Sequence, residues 1–487
     1  MRAVADGVRP RGYATIGAMT PAPPPSLSTA EIARISGGRV VTPSDRPVRG
    51  AAVDSRLVTP GMLFVALPGE RTDGHRFLGA AARAGAAALL VTEPSADQAD
   101  DLPPDVGVVA VADPLAALHA IAASWRARFD PLTVGVTGSI AKTSTKDAVA
   151  AVVARGFTTL KSEGNQNNEI GLPLTILRLG PEHRAAVLEM GMYVGGEIAQ
   201  LAAIARPSIG VVTSVHSVHL SRIGTLDAIE RAKGELIEAL PAHGVAVLNA
   251  DDERVRRMAS RTRARSITYG FALDADARAD AIESAGPRGM RFLLRTDGVA
   301  TPVSIATLGR HAVHNALAAA AVGLAAGLPP ESIAAGLADV QPSTHRGELV
   351  AAGPITLLDD SYNASPRSVH AALELLATLP GRHVAVLGEM YELGDATAPG
   401  YREVGESAAA LADCLMVVGE EARAIADAAF AAGMPAARIE VVPDRASAQR
   451  TLRDTLRPGD VVLVKASRGA ELDLLVAALR EEWEPRG

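Results

Sequence analysis

Cysteine is nearly absent from this chain of 487 residues, which contains only Cys414. A disulfide framework and a multi-cysteine metal site are therefore excluded, and the composition is typical of a reducing compartment such as the cytoplasm. Aromatic residues are also rare, at 3% of the chain. The core must therefore be built mainly from Ala, Val, Leu and Ile, which suits helices packed on sheets.

Long apolar runs and an excess of positive charge are lacking as well. The longest apolar stretch, 316–328, is shorter than the ~18 residues needed to span a bilayer, and it predicts a packed helix. No apolar block follows Arg9 and Arg11, so neither a signal peptide nor membrane insertion is expected. The 48 basic and 55 acidic residues give a net charge of −7. Such a surface does not attract nucleic acid, and an anionic small substrate would need a local basic pocket.

The alternation of apolar strands with amphipathic helices predicts an α/β protein of three domains. The first of these should open with the capping box Ser28-Thr29-Ala30-Glu31. The expected divisions are a disordered tail over 1–27, a small α/β substrate domain over 28–114, a central domain with a mostly parallel sheet over 115–342 and a second doubly wound domain over 343–487. Either Met1 or Met19 could be the start of the chain.

A loop suited to phosphate lies between the strand 133–137 and a helix that starts near Thr143. Its sequence is Thr137-Gly138-Ser139-Ile140-Ala141-Lys142-Thr143-Ser144. Backbone N–H groups and the helix dipole favour an anion there. Lys142 would reach the β- and γ-phosphates of a nucleotide, and Thr143 would hold Mg²⁺. The alternative interpretation is a lysine at an ordinary helix start.

This loop departs from the common G-x-x-x-x-G-K-[ST] pattern, because Val136 and Ala141 occupy its glycine positions. The methyl group of Ala141 is expected to crowd the phosphates or to strain a positive φ. Either effect would cost roughly 1 kcal/mol or more.

Further segments follow this loop in a fixed order. They are Gly164-Asn165-Gln166-Asn167-Asn168-Glu169, Leu188-Glu189-Met190-Gly191, His219-Leu220, Ala232-Lys233-Gly234-Glu235, Gly309-Arg310-His311 with Asn315, Arg346, Asp359-Asp360-Ser361-Tyr362-Asn363 and Lys465-Ala466-Ser467-Arg468-Gly469. Together with the phosphate loop, the series resembles the Mur ligase family, and within it the branch that adds D-alanyl-D-alanine to UDP-N-acetylmuramoyl-tripeptide. Asp54-Ser55-Arg56 and Asp73-Gly74-His75 resemble the substrate domain of the same family.

The resemblance implies a fold, a reaction and a set of partners. The fold is a small substrate domain, a P-loop ATPase-like central domain and a Rossmann-like C-terminal domain. The reaction uses ATP and Mg²⁺ to join a carboxylate to an amine through an acyl phosphate, in peptidoglycan precursor synthesis. The implied partners are the UDP-muramoyl-peptide and D-alanyl-D-alanine, and the enzyme is expected to be a cytoplasmic monomer.

The resemblance also implies the roles of individual residues. The implied catalytic residues are Lys142, Glu189, His219 and Lys233. The implied metal ligands are Thr143, Glu189, His219 and, once carbamylated, Lys233. The implied nucleotide contacts are Gly138, Ser139, Ala141, Lys142, Thr143, Ser144, Asn315, Arg346 and Asp360. The implied substrate contacts are Ser55, Asp73, His75, Asn167 and Asn168, with Asp359, Tyr362 and Asn363 on the incoming-amine side.

Two other functions stay open at the level of sequence. A related ligase recruited to another carboxylate and amine would keep the same residues, and Ala141 and the unusual neighbours of His219 leave room for it. A catalytically silent nucleotide-binding or scaffold protein is supported only by Ala141. A zinc pair of His216 and His219 is disfavoured, because their spacing is too short for one helical face and no cysteine assists. A simple dehydrogenase is excluded, because no G-x-G-x-x-G loop with a downstream acid follows a strand.

Overall fold

The computed structural model describes residues 25–69, 72–93, 102–216 and 223–483. In this part of the chain the N-terminal strands form a sheet with the order β1-β5-β4-β3-β2, parallel except for the antiparallel edge strand β1. Its strands are β1 (Arg39–Thr42), β2 (Ala51–Ala52), β3 (Leu63–Val65), β4 (Ala88–Thr92) and β5 (Gly107–Val111). Its α-helices are Thr29–Ser36, Leu78–Arg83 and Pro114–Arg126. The predicted capping box is present, since the Ser28 hydroxyl and the Glu31 side chain each accept from the other's backbone N–H.

The second sheet has the order β14-β13-β12-β11-β10-β9-β6-β8-β7. Its strands are β6 (Leu132–Thr137), β7 (Thr159–Lys161), β8 (Ala185–Glu189), β9 (Ile209–Val212), β10 (Val245–Asn249), β11 (Arg265–Gly270), β12 (Ala277–Ser284), β13 (Met290–Thr296) and β14 (Val299–Ile305). Its α-helices are Lys142–Val153, Gly171–Ile176, Glu197–Ala205, Leu226–Glu238, Glu253–Arg256, Arg310–Ala325 and Pro330–Ala338. The pairings from β7 to β12 are parallel, as predicted, whereas β13 and β14 form an antiparallel hairpin that was not predicted.

Helices cover both faces of this second sheet. Along β8, Ala186 and Leu188 belong to one hydrophobic core, while Ala185 and Val187 belong to another. Side chains alternate across a strand, so the two cores lie on opposite faces. The continuous apolar character of β8 thus follows from burial on both sides.

The third sheet has the order β15-β16-β20-β17-β18-β19, and its pairings are parallel except at the edge strand β15. Its strands are β15 (Glu348–Ala352), β16 (Ile355–Asp359), β17 (Arg382–Leu387), β18 (Cys414–Val418), β19 (Ile439–Val442) and β20 (Asp460–Lys465). Its α-helices are Pro366–Ala377, Thr397–Leu411, Arg423–Ala431, Arg445–Thr455 and Asp473–Trp483. Two separate cores pack on this sheet, as a doubly wound arrangement requires.

The order of the second sheet positions the candidate site. Strand β6 lies between β8 and β9, and all three run in the same direction. Ligands of open α/β sheets bind at the carboxyl ends of the strands. The loops that follow these strands therefore meet at one edge. Within the described residues, no helix has both the length and the apolar character needed to cross a membrane.

Candidate active site

The loop 138–141 after β6 is held in shape by the segment that follows β9. The backbone N–H of Ser139 donates to the carbonyl of Ser214 at 2.8 Å. The Ser139 hydroxyl accepts from the N–H of His216 at 2.8 Å and donates to its carbonyl at 3.0 Å. The Thr213 hydroxyl donates to the carbonyl of Ile140 at 2.7 Å. These bonds fix the loop backbone before any ligand is bound.

Two residues of this loop have a left-handed backbone. Gly138 has a φ of 151°, and a Cβ there would lie 1.8 Å from the Thr213 hydroxyl oxygen, so only glycine fits. Ala141, just before the helix Lys142–Val153, has a φ of 63° and a ψ of 10°. The positive φ anticipated from the sequence is therefore found. It costs an alanine about 1–2 kcal/mol.

Lys142 folds back over the loop that precedes it. Its Nζ donates to the carbonyls of Gly138 at 3.0 Å and Ser139 at 3.3 Å. Burial lowers the pKa of Lys142; Glu189 opposes this shift and Arg346 adds to it. The ammonium thus lies in a crowded cleft, near one carboxylate and one guanidinium, with only carbonyl groups as hydrogen-bond partners among the described residues.

Glu189 ends strand β8 and is 1% exposed. The Asn167 amide donates to its Oε1 at 2.7 Å. Its Oε2 is buried and has no hydrogen-bond partner among the residues that the structure describes. An unsatisfied buried carboxylate oxygen is costly, whereas a bound cation would satisfy it. The chemistry of this position therefore fits Mg²⁺. Thr143, at the start of the neighbouring helix, is 7% exposed and offers a hydroxyl oxygen to the same cleft.

Lys233 lies on the helix Leu226–Glu238 and is 2% exposed. Burial, together with the charge of Lys142, lowers the pKa of Lys233 well below its ordinary value. No acidic partner for its ammonium is found among the described residues. A buried lysine with a lowered pKa gives up its proton readily, which exposes a nucleophilic amine. His219, the remaining implied metal ligand, lies outside the described residues.

Three other candidate nucleotide contacts, Asn315, Arg346 and Asp360, also line the cleft. Asn315 is 9% exposed and its Oδ1 accepts from the Thr145 hydroxyl at 3.3 Å. The guanidinium carbon of Arg346 lies 3.9 Å from the centre of the Tyr362 ring. Asp360 accepts from the Nζ of Lys465 at 2.6 Å. Arg346 and Asp360 therefore enter the cleft with their orientation already fixed by neighbouring side chains.

The candidates for the incoming-amine side divide into two groups. Tyr362 and Asn363 line the cleft. Asp359 is 2% exposed and is not among the lining residues. Its carboxylate contacts the His345 ring nitrogen at 2.7 Å and accepts from the Ser361 hydroxyl at 2.6 Å. Asp359 thus supports the turn that carries the other two residues.

The cleft itself lies between the second and third sheets and has a volume of about 1740 Å³. Ligand pockets commonly measure roughly 300–1,000 Å³, so this space is large enough for more than one substrate. Ser139, Ala141, Ser144, Asn167 and Asn168 line it from the side of the second sheet. The Asn168 side chain also accepts at 2.9 Å from the N–H of Gly171, the first residue of a short helix.

The candidate residues of the first sheet are not among those that line this cleft. Ser55 follows β2, and Asp73 and His75 follow the parallel neighbour β3. They therefore lie at the same edge of their sheet. His75 is buried; its Nε2 accepts from the N–H of Thr92 at 3.0 Å, so its Nδ1 donates to Asp73 at 2.6 Å. This pairing fixes the tautomer of His75, and both the backbone N–H and the ring of His75 contact the same carboxylate oxygen of Asp73.

The cleft also contains a cluster of polar side chains that the sequence analysis missed. His314 contacts Asn249 and Asp251 at 3.2 Å each, and Arg310 lies 4.2 Å above the ring of Phe271. A signal for two of these residues was available. Asn249 ends strand β10 and Asp251 follows it, at the same carboxyl edge as the phosphate loop.

Known proteins match nearly the whole chain. Three family models match it: the catalytic domain of the Mur ligase family over 47–126, the Mur ligase middle domain over 136–323 and the Mur ligase glutamate ligase domain over 345–468. The chain is 38% identical to a UDP-N-acetylmuramoyl-tripeptide--D-alanyl-D-alanine ligase of Mycobacterium tuberculosis, over 93% of this chain and 97% of that protein.

Solved structures agree with this likeness. A crystal structure of MurF from Acinetobacter baumannii has a TM-score of 0.83 and 28% identity, over 94% of this chain and 100% of that chain. The MurF ligase from Thermotoga maritima in complex with ADP has a TM-score of 0.78 and 27% identity, over 90% of this chain and 99% of that chain.

Proposed function

We propose, because this chain belongs to the Mur ligase family, that it joins D-alanyl-D-alanine to UDP-N-acetylmuramoyl-tripeptide and converts ATP to ADP and phosphate. The observation that carries the proposal is the arrangement around Glu189. A buried carboxylate, with one oxygen that has no hydrogen-bond partner in the described part of the chain, lies near the phosphate-loop lysine. The cleft around them is large enough for a nucleotide and a second substrate. We expect a monomeric enzyme of the cytoplasm that acts in peptidoglycan precursor synthesis.

The reaction has two steps. In the first, an oxygen of the tripeptide carboxylate attacks the γ-phosphorus of ATP, the bond to the β-phosphate oxygen breaks, and ADP leaves. In the second, the amine of D-alanyl-D-alanine attacks the carbonyl carbon of the acyl phosphate. The C–O bond breaks, inorganic phosphate leaves and the amine loses a proton. Both steps depend on position and on charge neutralisation more than on covalent participation of the protein.

The residues around the phosphate loop suit the first step. Gly138, Ser139, Ala141 and Ser144 would cradle the phosphates, with Asn315 and Asp360 toward the rest of the nucleotide. Lys142 and Arg346 would hold the transferring phosphoryl group from opposite sides of the cleft. Thr143, Glu189, His219 and a carbamylated Lys233 would hold Mg²⁺. When bound, that ion would neutralise charge on the phosphates.

The remaining candidates suit the two other substrates. Asn167 and Asn168 would meet the muramoyl-peptide, and Ser55, Asp73 and His75 its uridine-diphosphate end. Tyr362 and Asn363 would meet the incoming amine, with Asp359 as support for their turn. Closure of the cleft would keep water from the acyl phosphate, which otherwise hydrolyses.

The test is ADP release by the purified protein with Mg²⁺-ATP, UDP-N-acetylmuramoyl-tripeptide and D-alanyl-D-alanine, each omitted in turn. Release that needs both other substrates, with the pentapeptide product found by mass spectrometry, would establish the function. ATP binding without release would favour a ligase recruited to another acid and amine. Absence of ATP binding, restored in Ala141→Gly, would favour a silent nucleotide-binding protein.

A further inference from the structure

The carboxylate of Asp147 is contacted by a neighbour on its own helix and by two other segments of the chain. It lies on the helix Lys142–Val153, five residues after the phosphate-loop lysine, and its side chain is 17% exposed. Its Oδ1 accepts from the Nζ of Lys161 at 2.8 Å and lies 3.1 Å from the Nζ of Lys146. Its Oδ2 accepts from the Ser343 hydroxyl at 2.8 Å. Burial raises the pKa of Asp147, but these three partners outweigh burial and the net shift is downward, so the group stays ionised.

The first segment that contacts Asp147 is the end of strand β7, which leads into a loop that contains a candidate substrate contact. Lys161 ends strand β7, immediately before the loop 162–168 that includes Asn167. Lys146 also contacts this loop, since its Nζ donates to the carbonyl of Ser162 at 2.8 Å. The Ser162 hydroxyl in turn accepts from the backbone N–H of Glu189 at 3.2 Å. Asp147 and Lys146 are thus connected by hydrogen bonds to the residue that offers the unsatisfied carboxylate oxygen.

The second segment that contacts Asp147 is the connection just before the third sheet, which contains Arg346. Ser343 begins a turn in which the N–H of Arg346 donates to the Ser343 carbonyl at 3.1 Å. His345, inside this turn, has a φ of 61°, a conformation that the surrounding contacts must maintain. The bond between Ser343 and Asp147 crosses from the connection between the second and third sheets to the phosphate-loop helix. It therefore ties the turn that carries Arg346 to the helix that begins with Lys142.

We propose that Asp147 is a positioning residue for phosphoryl transfer, which sets Arg346 and the 162–168 loop against Lys142 through its bonds to Ser343 and Lys161. The proposal rests on the proposed ligase function and adds to it a residue that touches no substrate. Its consequence is specific. Loss of the Ser343 bond should impair the chemical step more than ATP binding, because Arg346 would remain in the cleft but lose its fixed direction.

The experiment compares Ser343→Ala, Ser343→Thr, Asp147→Asn and the double variant Asp147→Asn/Ser343→Ala. Asp339→Asn is the matched control. It removes an exposed ion pair, from Asp339 to Arg155 at 3.2 Å, which links neighbouring parts of the same two segments without holding the turn. For each protein, kcat and KM for ATP are measured by ADP release. Hydrogen exchange of the amides of 344–347 is measured in the absence of substrates.

A hydrogen bond to an ionised group is strong enough that its loss should lower kcat about tenfold in Ser343→Ala. We expect KM for ATP to change less than about threefold in that variant, and faster exchange over 344–347. Ser343→Thr keeps a hydroxyl and should recover most of kcat. The double variant should be no worse than Asp147→Asn alone, because both changes remove one interaction.

The proposal is overturned if Ser343→Ala behaves like Asp339→Asn, if Ser343→Thr fails to restore kcat, or if the two single losses simply add. Failure of the proposed function would look different. The unaltered protein would then release no ADP with these substrates, while the exchange of 344–347 would still report whether Asp147 holds the turn.

Discussion

Replacement of Glu189 by glutamine is the sharpest test of the metal site, because it changes charge and almost nothing else. The Asn167 amide can still donate to the side-chain oxygen at the position of Oε1. The NH₂ group would take the position of Oε2, which has no partner among the described residues. The variant should therefore fold, and its unfolding midpoint should stay close to that of the unaltered protein.

The loss of ligase activity in Glu189→Gln should be large. Two unit charges about 4 Å apart interact by about 4 kcal/mol at an effective dielectric constant of about 20, and a divalent ion interacts more strongly. Desolvation offsets part of this attraction, which leaves a net loss of about 3 kcal/mol, or roughly a hundredfold. Glu189 also opposes the depression of the Lys142 pKa, so its removal should leave that lysine less fully charged.

The assay is the initial rate of ADP release at graded Mg²⁺ concentrations, with thermal unfolding measured on the same samples. The half-saturating Mg²⁺ concentration should rise about a hundredfold in Glu189→Gln, or kcat should fall by a similar factor. Glu163→Gln is the control, since Glu163 is exposed on the neighbouring loop and pairs only with Arg178, at 2.8 Å, among the described residues. If Glu189→Gln keeps both quantities within about threefold, the unsatisfied oxygen does not face a cation and the reasoning is wrong.

Three further changes test other parts of the candidate site. Ala141→Gly should raise the free energy of unfolding by up to about 1 kcal/mol in denaturant titrations, because relief of the positive φ exceeds the added chain entropy; an unchanged value would show that Ala141 is not strained. Lys233→Met should abolish ADP release yet raise the unfolding midpoint, because it replaces a buried ammonium that lacks an acidic partner among the described residues; a lower midpoint would contradict this account. Tyr362→Ala should raise KM for ATP about three- to tenfold through loss of the ring beneath Arg346, whereas Tyr362→Phe should keep it within about twofold, since the contact is worth about 0.5–2 kcal/mol and needs only the ring face. Equal effects of the two Tyr362 variants would assign the role to the hydroxyl instead.

The parallel strands could be predicted because their signals are local. The strand predicted over 133–137 is found at Leu132–Thr137, and the helix predicted from about Thr143 begins at Lys142. Apolar runs bounded by a glycine loop identify such strands without any tertiary information. The same holds for the capping box at Ser28, whose two hydrogen bonds join residues only three positions apart.

The hairpin β13–β14 escaped prediction for the opposite reason. Its strands contain arginine, threonine and proline, and they lie at the edge of the sheet, where one strand face need not be apolar. A local signal did exist in the turn. Asp297 and Gly298 have φ values of 46° and 78°, and Asp-Gly is the pair that favours a two-residue hairpin turn.

The motif around Asp359 shows that proximity in sequence does not establish a shared role. Asp359, Tyr362 and Asn363 are close in sequence, and sequence order alone gave them one role. The structure turns Asp359 inward to His345 and Ser361, while the other two face the cleft. Side-chain direction at a strand end depends on the partner that the sheet brings to it. Here that partner is His345, whose ring nitrogen lies 2.7 Å from the Asp359 carboxylate.

The stability of the site bears on whether the chain is an active ligase or a silent scaffold. Ala141 holds a positive φ, Lys233 is buried without an acidic partner among the described residues, and Glu189 keeps an unsatisfied oxygen. Each feature lowers stability, and a single substitution would relieve it at Ala141 and at Lys233. All three lie within or beside one phosphate loop, where a nucleotide and a cation would offset the two electrostatic costs. Proteins depart from local rules mainly where function requires it, so the concentration of these features at one sheet edge favours a working nucleotide site.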